Sequence, residues 1–250
     1  MFQVPGPMVW GAAPELVGPR HYYRVGLMAR ALWARLPAGG APHVLDAGAG
    51  RGTLAARLAA LGYRVTALDE SAAFVAYARQ RWGGRHLRLV RGDVVRLPFT
   101  PAAFDAAVCG EVLEHVADDA AAVAELARVL RPGGVLVATV PAGARAYSWL
   151  DRWAGHARRY EPAALAARLA AGGFTVERLV RWGFPFGLLY ERWVQRPVLR
   201  RYAHGAAVGT ARRLGRSPAT RRLLAALFRL DERFVSVPWG PGLLVIAVRR

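Results

Sequence analysis

The chain has 250 residues, 54% of them hydrophobic, enough for one sizeable core or one domain with an elaborated lobe. The formal net charge is +18 and every one of the 35 basic residues is arginine; part of this is codon bias, but residues 1–150 carry 16 arginines against 11 acids and residues 151–250 carry 19 against 6, so the second half suits an anionic partner. The single Cys109 excludes an internal disulfide framework and a multi-cysteine zinc site, and no run reaches the roughly 18 apolar residues of a transmembrane helix.

The proline-broken start "MFQVPGPMVWGAAPE" has no basic n-region, so it reads as neither signal peptide nor span, and a cytoplasmic setting is expected. Helical spacing predicts a helix over 20–36, followed by a buried strand at 43–47. A helix over 53–62 ends at Gly62, and 63–69 is a second strand. Ser71 caps a helix over 71–82, with strands at 86–93 and 104–110 beyond it. A helix over 118–134 is capped by Asp118 or Asp119 and stopped by Pro132 and the glycines, before a strand at 135–141. A helix at 161–174 and strands at 175–182 and 243–250 complete the pattern. The roughly sixty residues between the last two strands far exceed a hairpin loop and hold a helical pattern at 219–234; "GRSP" (215–218) reads as a flexible turn.

Alternating strands and helices imply an α/β, doubly wound sheet covered on both faces, with ligands outside the carboxyl ends of its strands. Three acids, Asp46, Asp69 and Asp93, fall at such ends. In "VLDAGAGRG" (44–52), Gly48, Gly50 and Gly52 bring bare backbone to the start of a helix, whose amides favour an anionic group. The dinucleotide fingerprint G-x-G-x-x-G is not met, because Thr53 stands at the third glycine's place, and Asp46 would repel a pyrophosphate. A carboxylate beside open amides suits a ligand with a positive group next to a carboxylate, such as S-adenosylmethionine. Asp69, 21 residues past Gly48, can accept both ribose hydroxyls. Asp93 can accept from the adenine amino group, with the Val94 amide beside it.

These stretches, with "ALDES" (67–71), "RGDVVRLPF" (91–99), "FDAAVCGEVLEHV" (104–116) and "LRPGGVLVATVP" (130–141), resemble a class I S-adenosylmethionine-dependent methyltransferase of the small-molecule type. The resemblance covers residues 43–141 and implies a seven-stranded Rossmann-like sheet whose last strand is antiparallel. It implies a cofactor site at Asp46, Gly48, Ala49, Gly50, Asp69, Glu70, Asp93, Val94 and the Cys109–Glu111 backbone, with Tyr22 or Tyr23 covering it from the N-terminal helix. The expected organisation is a helical cap over 1–42, a core over 43–182 and 243–250, and an inserted basic, aromatic helical lobe over 183–242.

Sulfonium chemistry asks little of side chains, and a base is needed only if the acceptor holds a proton in the transition state. His115 in "EVLEH" is one candidate. Quinone-pathway O-methyltransferases that resemble this stretch can hold a divalent metal there, which here means Glu111, Glu114 and His115; many relatives with the same run have none, and no metal is expected. His156 in "DRWAGHARRYEP" is the favoured base, with Arg158, Arg159 or Tyr160 gripping an anionic acceptor, or else pairing with acids and packing. From Arg192 to Arg222 there are nine arginines and no acids, interleaved with aromatics. Such a lobe can be a lid over an apolar pocket, a contact for an anionic membrane, or a nucleic-acid grip. The absence of an Asn/Asp-Pro-Pro-Tyr motif argues against base N-methylation. The expected reaction is therefore methyl transfer to a small lipophilic acceptor, at oxygen, with an RNA-modifying or nucleic-acid-binding protein as the alternative.

Overall fold

The computed structural model describes residues 18–84, 86–203, 218–235 and 237–250. Helix α1 (Pro19–Arg35) precedes β1 (His43–Ala47), α2 (Thr53–Ala60), β2 (Arg64–Asp69), α3 (Ala72–Trp82), β3 (Leu87–Arg91) and β4 (Phe104–Gly110). There follow α4 (Asp119–Val129), β5 (Leu130–Pro141), α5 (Trp149–Trp153), α6 (Pro162–Ala171) and β6 (Phe174–Trp182). The insert contains α7 (Phe186–Tyr190), a π-helical segment Glu191–Gln195, α8 (Arg196–Ala203), α9 (Pro218–Leu230) and a 3₁₀ turn Asp231–Phe234; β7 (Gly242–Arg249) closes the described chain. The expected turn at 215–218 lies outside the described residues except for Pro218, which begins α9, and the start through residue 17 also lies outside them.

The seven strands are ordered β3-β2-β1-β4-β5-β7-β6, with β1 to β5 parallel and β7 antiparallel to both its neighbours. Strand order reverses between β1 and β4, which opens a crevice at their carboxyl ends. One face of the sheet is closed by α4 and α6 through Leu126, Leu165 and Leu169; the other is closed by α1 and α2 through Met28, Leu32 and Leu58. The central strands are therefore apolar on both sides, as buried parallel strands must be.

Most boundaries agree with the periodicity within two residues; the largest departure is at 130–134. Helix α4 stops at Val129, and β5 begins at Leu130, so Pro132, Gly133 and Gly134 belong to an irregular start of the strand. Leu130 pairs with Phe104 before the register shifts to Ala106 and Val135, a bulge that accommodates a proline without an amide to donate. Strand β3 ends at Arg91, two residues early, which leaves Asp93 in a turn where its Oδ1 accepts from Val95 N at 3.0 Å. Ser71 and Asp118 are the helix caps, accepting from Phe74 N and Ala121 N.

The N-terminal helix and the insert, separate in sequence, pack on each other: the Tyr23 ring lies 5.6 Å from Phe228 and 6.1 Å from Trp182. Asp231, buried at the end of α9, accepts from Phe186 N and Gly187 N at 2.9 Å each and so pins α9 to α7. Substituting Asp231→Ala would orphan two amides at once. The expected outcome is a loss of about 2–4 kcal/mol in unfolding free energy, read as a lower urea midpoint. An unchanged midpoint would mean that this carboxylate is not the anchor.

Candidate functional site

The turn between β1 and α2 is built by its backbone. Gly48 N and Ala49 N both donate to Leu68 O at 2.8 Å, so the loop leans on the end of β2. Gly48 has φ +72°, and a Cβ there would run into the Val112 side chain. Gly50 has φ +53°, and a Cβ there would meet no heavy atom within 4 Å, so its Cα faces the open cavity. Asp69 holds the turn: its Oδ2 accepts from Gly50 N at 2.7 Å and its Oδ1 from Ser71 N at 2.9 Å. Both oxygens keep further lone pairs for a ligand hydroxyl. Asp46 is buried, and its Oδ2 has no hydrogen-bond partner. Burial pushes its carboxyl up to about 7, against the pull of a backbone hydrogen bond from Ala55.

These groups line one end of a cavity of about 1050 Å³. Glu70, Asp93, Val94, Gly110 and Glu111 complete that end, and Arg20, His21 and Arg24 of α1 roof it. Glu111 sits at φ +58°, a strained turn at the end of β4 that its amide stabilises by donating to Thr139 O at 2.8 Å. Its carboxylate lies 3.6 Å from Arg24 Nη1. Farther in, the cavity is walled by Leu150, Trp153, Trp182, Val194, Val198, Leu199 and Leu224, with His115, Asp151, His156 and Arg159 as the polar floor.

The floor is organised by Asp151. Its Oδ2 accepts from Ser148 N and Ser148 Oγ at 2.8 and 3.0 Å; its Oδ1 accepts from His156 Nδ1 at 3.0 Å and Arg159 Nε at 2.7 Å. Burial alone would raise this carboxyl, but the bonds from His156 and Arg159 outweigh it and hold Asp151 well below the usual carboxylate range. The ionised carboxylate fixes the hydrogen of His156 on Nδ1 and leaves Nε2 as an acceptor. The His115 ring stands edge-on to His156 at 4.6 Å, and burial followed by the proximity of His156 pushes it down to about 4. Beneath them Glu114 is fully buried with neither carboxylate oxygen hydrogen-bonded, and burial pushes it up to about 8. Ligand atoms of Glu114, His115 and His156 lie within 4.8 Å of one another, a donor set with the chemistry of a divalent-cation site. His156 stands where Glu111 was expected in such a set, because Glu111 turns to Arg24.

Three expected site residues lie elsewhere. Cys109 is fully buried in the core beneath β4, and Gly110 reaches the cavity in its place. Tyr23 faces the lobe: its hydroxyl donates to Glu232 and its ring packs among Trp182 and Phe228. Tyr160 is buried, with its hydroxyl donating to Asp119 Oδ2 at 2.7 Å and reaching Leu113 O at 3.2 Å. Arg158 likewise pairs with Asp119 at 2.9 Å, so the arginine-tyrosine run mostly braces the fold. Arg159 does line the cavity, but its Nε and Nη1 are engaged by Asp151 and Ala142 O. The periodicity gave no hint of Arg20, His21, Arg24 or Trp182. Asp151 left a signal, since Ser148-x-x-Asp151 has the spacing of a capping box.

An unsatisfied buried carboxylate beside a turn without side chains fits the ammonium of S-adenosylmethionine and leaves room for its carboxylate, and Asp69 next to them fits a ribose diol. Four acids on this rim, Asp46, Asp69, Glu70 and Asp93, oppose a pyrophosphate. Comparison with known proteins agrees. A methyltransferase-domain family matches residues 45–138. A probable S-adenosylmethionine-dependent methyltransferase of Mycolicibacterium smegmatis is 37% identical over 136 residues, 54% of this chain and 52% of that protein. A malonyl-[acyl-carrier protein] O-methyltransferase of Serratia marcescens is 35% identical over 53% of this chain and 52% of its own length. The chain thus spans about half the length of the curated relatives it matches. Among solved structures, the Burkholderia thailandensis 1,6-didemethyltoxoflavin-N1-methyltransferase, with bound 1,6-didemethyltoxoflavin and S-adenosylhomocysteine, superposes with a TM-score of 0.54 at 25% identity, over 91% of this chain and 78% of that one. Sheet order, cradle and relatives lead to one assignment: residues 45–138 carry a methyltransferase domain, similar to those of S-adenosylmethionine-dependent methyltransferases.

Proposed function

We propose that the protein transfers a methyl group from S-adenosylmethionine to an oxygen of a small lipophilic acceptor, with His156 as general base. The observation that carries this reading is the Asp151–His156 pair, which opens on the same cavity as the Asp46 cradle. The apolar wall of Val194, Val198, Leu199 and Leu224 supports a lipophilic acceptor. The relative named for malonyl O-methyl transfer supports oxygen as the methylated atom.

When bound, S-adenosylmethionine supplies a methyl group activated by a sulfonium, with a neutral leaving group. The chain's own residues then do four things. Asp46, once ionised, would pair with the ammonium, and the side-chain-free turn at Gly48 and Gly50 would leave room for the carboxylate. Asp69 accepts from the ribose, and Asp93 and the Val94 amide meet the adenine. His156 Nε2 takes the proton of the acceptor hydroxyl, and Asp151 stabilises the resulting imidazolium. Arg159 positions Asp151 from its far side, and the lobe wall excludes water.

A screen of quinol, phenol, glycolipid and fatty-acid acceptors with labelled methyl donor tests the reading. Turnover of at least one is expected, and transfer only to RNA would overturn it. His156→Ala should lower kcat about a hundredfold while leaving the affinity for the methyl donor unchanged. Asp151→Asn should give a comparable loss through the wrong tautomer; full activity in both variants would remove His156 from the chemistry.

The Asp46 shift has a definite sign. The folded, ligand-free chain keeps that proton up to about pH 7, whereas an unfolded aspartate releases it near 3.8. Stability of the free protein therefore falls as pH rises across this window. Affinity for the cationic methyl donor moves the other way, rising by up to about tenfold per pH unit toward pH 7 and levelling off above it. Calorimetry from pH 5 to 8 reads this directly, and Asp46→Asn should bind weakly with no slope. A wild-type affinity independent of pH would show that Asp46 does not meet the ammonium.

A further inference from the structure

Ten large hydrophobic side chains stand exposed among the described residues, and seven of them belong to the insert between β6 and β7: Leu189, Trp193, Val194, Leu223, Leu230, Phe234 and Trp239. They are arranged, not scattered. On α9 and the turn after it, Leu223, Ala226, Leu230 and Phe234 are exposed at i, i+3, i+7 and i+11, a single stripe, while Phe228 and Asp231 face inward. Phe234 touches Phe184, its ring 6.2 Å away, and Phe184 touches Trp239 at 5.4 Å, which extends the stripe into an aromatic cluster. Leu189 and Trp193, four residues apart, add a second exposed pair on the neighbouring helical run, with Trp193 71% accessible.

The charges around this face have one sign. Arg192, Arg200, Arg201, Arg229 and Arg233 are exposed, and no ion pair among the described residues engages them. The insert's three acids are all engaged, two of them inside the fold. Glu191 is buried between Arg20 and Arg196, Asp231 is buried on the α7 amides, and Glu232 pairs with Arg30. We infer that this face of the insert docks on an anionic lipid bilayer, with the aromatic and aliphatic stripe entering the headgroup boundary and the arginines meeting lipid phosphates. A nucleic acid would use the arginines and could stack on Trp193, but it offers nothing to Leu189, Val194, Leu223 and Leu230, which the hydrocarbon boundary of a bilayer would bury beside its charged phosphates.

The position of the face adds a functional sense. Val194 is 46% exposed yet also lines the cavity, together with Val198 and Leu199 of α8 and Leu224 of α9. The docked side therefore lies at the cavity wall, and a lipophilic acceptor can pass from bilayer to cavity without crossing water; this last step rests on the proposed methyl-transfer reading, whereas docking itself does not.

The test is sedimentation of the full chain with phosphatidylcholine vesicles and with vesicles of phosphatidylcholine and phosphatidylglycerol. Binding to the mixed vesicles at least about tenfold above neutral ones is expected, weakening as salt is raised. Replacing Arg229 and Arg233 together by Glu should lower that partition roughly tenfold or more. Trp193→Ser should lower it independently of salt. Calorimetric binding of S-adenosylmethionine by the same variants shows that they are folded and separates this inference from the assignment of the cavity. Equal partition into both vesicle types, binding to neither, or retention of an RNA oligonucleotide that anionic vesicles do not displace would overturn it.

Discussion

A carboxylate has been placed at the end of a fully buried strand with one oxygen left unsatisfied, and the geometry around it follows from that choice. Asp46 sits where β1 meets the reversal in strand order, and burial makes its charge costly until a cation arrives. The glycines after it are there because any side chain at Gly48 would collide with Val112, and because Gly50 takes φ +53° to turn its amide onto Asp69. Asp69 ties the turn to the adjacent strand through that same amide, so the two acids and the loop form one unit. The apo site is thus destabilised locally and is relieved by a ligand bearing an ammonium group.

The rest of the molecule covers this unit. Helix α1 brings Arg20, His21 and Arg24 over the crevice, and Glu191 of the insert joins it there through Arg20 at 2.9 Å. The Glu191 carboxylate also holds Arg196 at 3.0 Å, so one buried acid connects the N-terminal helix with the π-helical segment that walls the cavity. A second buried acid, Asp151, does the corresponding work on the floor with four accepted hydrogen bonds. In both places a carboxylate is fully satisfied by the protein, in contrast to Asp46 and Glu114. That contrast separates groups that hold the structure from groups that await a partner or a proton.

How far the sequence foretold this depends on the range of the interactions involved. Strands β1, β2 and β4 and the cradle were legible because their signals are local: apolar runs, a terminal acid, alternate glycines. The boundary at 130–134 was not, because a bulge opposite Phe104 lets strand pairing begin before the proline. Tyr23 and Tyr160 carried the right chemistry for a site, but partners more than forty residues away, or about two hundred in the case of Glu232, drew both into the interior. Asp151 lies on a helix of five residues, too short for periodicity to report, and only its spacing from Ser148 gave it away. The roof from α1 had no local signature, since α1 is held over the crevice by Met28 and Leu32 on the sheet and by Tyr23 against Phe228, in a segment two hundred residues later.

The exposed arginines of the insert carry a further consequence through what they are not. These 250 residues contain no lysine, so the positive face is made wholly of guanidinium groups, which stay protonated at every pH a cell experiences. It cannot be neutralised by acetylation or tagged with ubiquitin on a side-chain amine. Its attraction for anions is a constant of the molecule, adjustable by the ionic medium and by the composition of the opposing surface, and indifferent to acidification.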